Sequence, residues 1–207
     1  MTESPIAALY VMADGPYVGL PGVDPWPEDR DARNYPGPHP VVAHPPCKRW
    51  GRYWSGGPSA KVRRKMGDDG GCFKASLESV RHWGGVIEHP EASHAWAAFG
   101  INKPPKSGGW IPAGIGDVGW TCCVEQGHYG HPARKATWLY AVGTDLPEFK
   151  WGSSGQRIRM DPGYHSQEER RRAVKTGMCQ RLSKRQRLIT PEPFRDLLIK
   201  LARSVGP

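Results

Sequence analysis

Apolar residues in this chain come in short runs that end at prolines and glycines, and the runs alternate between strand-like and helix-like spacing. Val41-Val42-Ala43 reads as a buried strand, because its β-branched pair suits a pleated surface and Pro45 and Pro46 cannot continue it. Val86-Ile87-Glu88-His89-Pro90 reads as a second strand ended by a proline. Between them, Asp68-Asp69-Gly70 precedes Phe73, Leu77 and Val80 at helical spacing, and Gly84-Gly85 closes the segment. That order predicts a right-handed crossover with parallel strands whose carboxyl ends share one edge. Trp120-Thr121-Cys122-Cys123-Val124 and Trp138-Leu139-Tyr140-Ala141-Val142-Gly143 predict a hairpin, joined by a turn-rich loop from Gln126 to Thr137. Ala7 to Met12 is a candidate first strand. Phe194, Leu197, Leu198 and Leu201 line one face of a carboxyl-terminal helix, with Thr190 as its cap, Pro191 in the first turn and Glu192 at the positive end. The expectation is one α/β domain over residues 1–207, with an atypical region 1–39, a core 40–145, a basic, turn-rich extension 146–188 and a terminal helix 189–207.

The chemistry collects at the predicted strand ends. Cys47 follows the first strand and Glu88 sits at the end of the second, the edge where α/β folds build their sites. Arg134 and Lys135 fall where the turn-rich loop enters the last strand. Each also has an ordinary structural reading: a packed cysteine, a surface carboxylate and a solvated basic turn.

Taken in order, Pro45-Pro46-Cys47, a strand ending in Glu88, and Tyr129-Gly130-His131-Pro132-Ala133-Arg134 entering a strand that ends Val142-Gly143 resemble the catalytic half of cytosine-5 DNA methyltransferases. They are also similar to small, mostly phage-borne proteins of this type. The resemblance implies a Rossmann-like, methyltransferase-type mixed sheet. It implies that Cys47 attacks C6 of an extruded cytosine, that Glu88 holds the ring's N3 edge, and that Arg134 supports the base and the backbone. It also implies S-adenosylmethionine as a possible donor. The chain departs from the family at His89-Pro90, where Asn-Val is usual, and at Ala136 or Thr137, where a second arginine is usual. The segment after Met12 (Ala13-Asp14-Gly15-Pro16-Tyr17) lacks a glycine-rich turn, so no cofactor-binding residues are assigned and the amino-terminal half reads as degenerate.

Charge adds a partner. With 29 Lys and Arg against 20 Asp and Glu the formal charge is +9, and Ser166 to Arg187 alone holds eight basic residues against two acids. Double-stranded DNA is the expected polyanion. Pro46, Lys48, Arg49 and Trp50 beside the nucleophile, and Arg63 and Arg64 in a second basic cluster, are the expected DNA contacts along with Lys135. Trp50 also reads as a core anchor. Five cysteines without regular spacing, no leader and no long apolar run predict a soluble, cytoplasmic protein with free thiols and no membrane partner. Cys122, Cys123, His128 and His131 fit no zinc spacing, and no metal is expected. Three further readings stand beside the transferase: a DNA-binding protein without catalysis, a pyrimidine modifier with another donor, and a zinc-dependent nuclease.

Overall fold

The computed structural model describes residues 4–56, 61–62, 64–158, 166–176 and 182–206, and in them the expected strands join one sheet. The strands are β1 (Ile6–Leu9), β2 (Val23–Trp26), β3 (Val41–Ala43), β4 (Gly85–Pro90), β5 (Ile111–Pro112), β6 (Trp120–Glu125) and β7 (Ala136–Val142). The helices are α1 (Cys72–Trp83), α2 (His94–Ala98), α3 (Gln167–Thr176), α4 (Lys184–Leu188) and α5 (Glu192–Arg203). The sheet order is β2-β1-β3-β4-β7-β6-β5. β1 to β4 run parallel, β7 is antiparallel to β4, and β6 and β5 continue antiparallel. The expected crossover through α1 and the β6–β7 hairpin are both present.

Burial on both faces explains the continuous apolar runs of the central strands. On one face Phe73, Leu77 and Val80 of α1 pack with Ala7, Leu9, Val41, Ala43 and Ile87. On the other, Phe194, Leu198 and Leu201 of α5 pack with Ile6, Ala8, Val42, Val86 and Leu139. Cys122 and Cys123 divide between these two faces, as neighbours on a strand must.

Some local expectations change. β1 stops at Leu9, because Tyr10 adopts a left-handed φ of 59° and turns the chain. Thr190 does not cap α5, which begins after Pro191 with no side-chain cap; Thr190 is instead buried beside the cleft described below. β2 carries Pro25, which a central strand would not tolerate but an edge strand does.

Register sets up the site. Leu9 pairs with Ala43 and Ala43 with Ile87, so Tyr10, His44 and Glu88 each come one residue beyond, on one edge of the sheet. β7 runs the opposite way and starts at that edge, with Thr137 opposite Pro90. The loop before β7 therefore arrives beside the ends of β3 and β4.

Candidate active site

The edge opens into a cleft of about 1280 Å³ whose walls include Cys47, Glu88, Arg134, Lys135 and Pro46. The three residues expected to act on a base are thus brought together, although they are 41 and 46 positions apart in the chain. Cys47 is half-buried at the start of a 3-10 turn, Cys47–Arg49, made possible because Pro46 ends the strand without needing a ladder hydrogen bond.

Glu88 is the most constrained group. His44 Nδ1 lies 2.9 Å from its Oε2, and Gln126 Nε2 donates to its Oε1 at 3.1 Å. The same Gln126 amide donates to Thr137 Oγ1 at 3.0 Å, and the Tyr17 hydroxyl lies 2.8 Å from His44 Nε2. Burial by itself would raise the Glu88 pKa, but the hydrogen bond and charge of His44, with Lys135 behind them, outweigh it and bring the pKa down to about 2. The buried carboxylate is therefore ionised at rest.

Cys47 responds in the opposite direction. Burial raises its pKa, the neighbouring Glu88 charge raises it further, and Lys135 offsets only part of this. The resting group is the thiol. Lys135 adopts a left-handed φ of 44°, strain of roughly 1–3 kcal/mol for a side-chain-bearing residue. Its Nζ donates to the carbonyls of Ile189 at 2.6 Å and Leu188 at 3.4 Å. Burial lowers its pKa, against the pull of Glu88 and Cys47.

Arg134 is exposed on the cleft wall, its Nε donating to the Gln156 carbonyl at 3.4 Å, so Lys135 is the cation whose charge reaches Cys47 and Glu88. The expected DNA contacts separate. Lys48 and Arg64 are exposed but outside the cleft wall, and Arg63 lies outside the described residues. Arg49 is buried and donates to the Trp54 carbonyl at 2.9 Å, which pins the loop after Cys47. Trp50 is 6% exposed, packs on Phe73 and Phe99, and donates Nε1–H to Asp69 Oδ2 at 2.8 Å; it anchors the core. Of the basic run 166–187, residues 177–181 lie outside the described residues.

Nothing in the local sequence gives Tyr17, His44, Gln126, Arg157 or Arg187 a role in the site. The last two arginines line the cleft from the carboxyl-terminal extension. Only the strand register reveals His44 opposite Glu88, and only tertiary packing brings Tyr17 to it. Among the described residues no group of three or more His, Cys, Asp or Glu is placed to hold a metal ion, no cysteine pairs, and no helix is long and apolar enough to cross a membrane.

The Glu88 network has a pH signature. A carboxylate held below its ordinary value of 4.5 adds stability above that value and loses it as pH falls toward about 2. Urea unfolding at about pH 6 and about pH 3 should therefore show a smaller acid destabilisation in Glu88→Gln than in the wild-type protein. An equal loss in both would mean that Glu88 is not held as a stabilised carboxylate.

Comparison of the chain with family models, with curated proteins and with solved structures finds no match.

Proposed function

We propose that this protein modifies cytosine in DNA at C5 through a covalent cysteine adduct. The observation that carries the reading is the convergence of a thiol, a fixed buried carboxylate and a cation on one sheet-edge cleft. The mixed α/β sheet supports it too, with four parallel strands beside an antiparallel one. In this reading the Cys47 thiol gives up its proton as Sγ adds to C6, N3 gains a proton by way of Glu88, and C5 becomes the nucleophile. A base that draws a proton onto Glu88 also removes the negative charge that disfavours the Cys47 thiolate, so the nucleophile is activated when the base is seated. The captured group would come from an electrophilic one-carbon or larger donor.

S-adenosylmethionine does not fit the residues at the end of β1. The connection Tyr10 to Gly22 contains no helix and no glycine-rich turn, and the Asp24 carboxylate is already engaged by Arg30 and Trp26. No step is derived through that cofactor. The missing helix and glycine-rich turn favour a second reading, a DNA-binding protein that retains base recognition without transfer.

DNA as the partner is supported by the charge of the cleft. Arg134, Lys135, Arg157 and Arg187 line it without an ion pair among the described residues, whereas its acids Glu88 and Glu91 are engaged by His44 and Lys106. Arg157→Ala and Arg187→Ala should each lower the slope of log affinity for a DNA duplex against log salt by about one. Slopes identical to wild type would remove these arginines from the phosphate path. The reading as a whole is tested by mass spectrometry of nucleosides from the DNA of cells expressing the protein, with Cys47→Ala alongside. A new cytosine-derived species that needs Cys47 supports transfer, and its mass identifies the group. DNA binding without such a species supports the second reading.

A further inference from the structure

His44 lies between two groups that the proposed chemistry does not otherwise connect. Its Nε2 is 2.8 Å from the Tyr17 hydroxyl and its Nδ1 is 2.9 Å from Glu88 Oε2, so both ring nitrogens are engaged. The other Glu88 oxygen accepts from Gln126, whose amide is itself fixed on Thr137. Glu88 thus has one side tied to a neutral amide and the other to a group that can take up and release a proton. Tyr17 is almost fully buried, and its ring leans on the imidazole with centroids 5.3 Å apart, which holds the ring in this orientation.

We propose that His44 is a positioning residue and proton store, holding Glu88 in place and passing a proton from Nδ1 to Glu88 Oε2 as the carboxyl protonates a bound base at N3. The inference rests on the covalent reading above. The balance closes without a co-reactant. The imidazolium gives its Nδ1 proton to Glu88, Glu88 gives one to N3, and the Cys47 thiol releases its proton to the solvent of the open cleft as Sγ bonds to C6. On reversal the C6–S bond breaks, N3 releases its proton to Glu88, and His44 recovers it. The Tyr17 hydroxyl remains on Nε2 throughout and fixes the ring. An ionised carboxylate alone has no proton to give, and the adjacent imidazole supplies one without solvent entering the buried pair.

Charges facing this pair come from several elements: Cys47 after β3, His89 on β4, Lys135 before β7, and Arg195 and Asp196 on α5, which act on Tyr17. Any pH profile belongs to this set with His44 and Glu88 at its centre.

The adduct can be read without knowing the donor. In D2O the C5 carbanion equivalent takes a deuteron from solvent, and elimination with loss of the original C5 proton leaves deuterium on cytosine. Mass spectrometry of a cytosine-containing duplex incubated with the wild-type protein should show this exchange, with a pH profile that belongs to the coupled groups named above. His44→Gln, which can still donate a hydrogen bond to Glu88 but cannot store a proton, should lower the exchange by about 10²-fold and alter that profile. Tyr17→Phe removes only the hydroxyl; it should reduce exchange several-fold and shift the profile, and it carries the test if His44→Gln does not fold. Exchange with an unaltered pH profile in the folded variants would overturn the role of His44 and leave the covalent reading standing. No exchange by the wild-type protein would remove the covalent reading and the role of His44 with it.

Discussion

DNA from cells expressing the Cys47→Ala protein is expected to contain only ordinary nucleosides, and the purified variant to lose C5 deuterium exchange by at least about 10³-fold. Cys47 is the only thiol among the described residues lining the cleft. The remaining hydroxyls there ionise far less readily: burial raises the Tyr17 and Tyr10 hydroxyls well above the ordinary phenol range. No neighbour can therefore substitute for the sulfur. The side chain is half-buried, so its truncation should cost only about 1 kcal/mol of stability, and the thermal midpoint of the variant separates loss of chemistry from loss of fold. Full modifying activity in folded Cys47→Ala would rule out the adduct.

Gly85→Ala should be the most damaging single methyl in the sheet, costing about 4 kcal/mol or more in urea unfolding. Gly85 opens β4 at φ 117°, and a Cβ there would stand 2.0 Å from the Val41 carbonyl oxygen and 2.6 Å from its nitrogen. The obstacle is the backbone of the paired strand, which cannot rotate aside as a side chain can. Relief requires breaking the Val41–Gly85 register, and that register also places Glu88 opposite His44. Gly71→Ala is the control: its φ of 83° is also left-handed, but nothing lies within 4 Å of the new methyl, so the expected cost is about 1 kcal/mol. Equal stability of the two variants would mean that the β3–β4 pairing tolerates the clash.

The sequence determined by itself the elements whose reasons are local. Val41-Val42-Ala43 ends because two prolines follow, α1 forms because Phe73, Leu77 and Val80 recur on one helical face, and the β6–β7 hairpin follows from apolar runs flanking a turn-rich loop. Cys47 and Glu88 were legible for the same reason, since a strand stopped by proline presents its next residues at the sheet edge. Residues with two compatible environments were not. Trp50 can stack on a base or fill a core, and only its packing on Phe73 and Phe99 decides for the core. Arg134 and Lys135 are adjacent cations, and the left-handed backbone at Lys135, with its ammonium tied to the carbonyls of Leu188 and Ile189, decides which charge reaches the thiol.

The tertiary structure alone decided the network around Glu88. Tyr17, His44, Glu88 and Gln126 come from four separate segments, and none carries a periodic or turn signal that ties it to the others. Hydrogen-bond partners across a sheet edge are set by register and by packing from both faces, which depend on contacts far apart in the chain. The same holds for the end of β1: the missing glycine-rich turn was visible in the sequence, but that Tyr17 reaches His44 was not. Local chemistry chose where strands stop and which residues stand at their ends; long-range packing chose which of those residues meet.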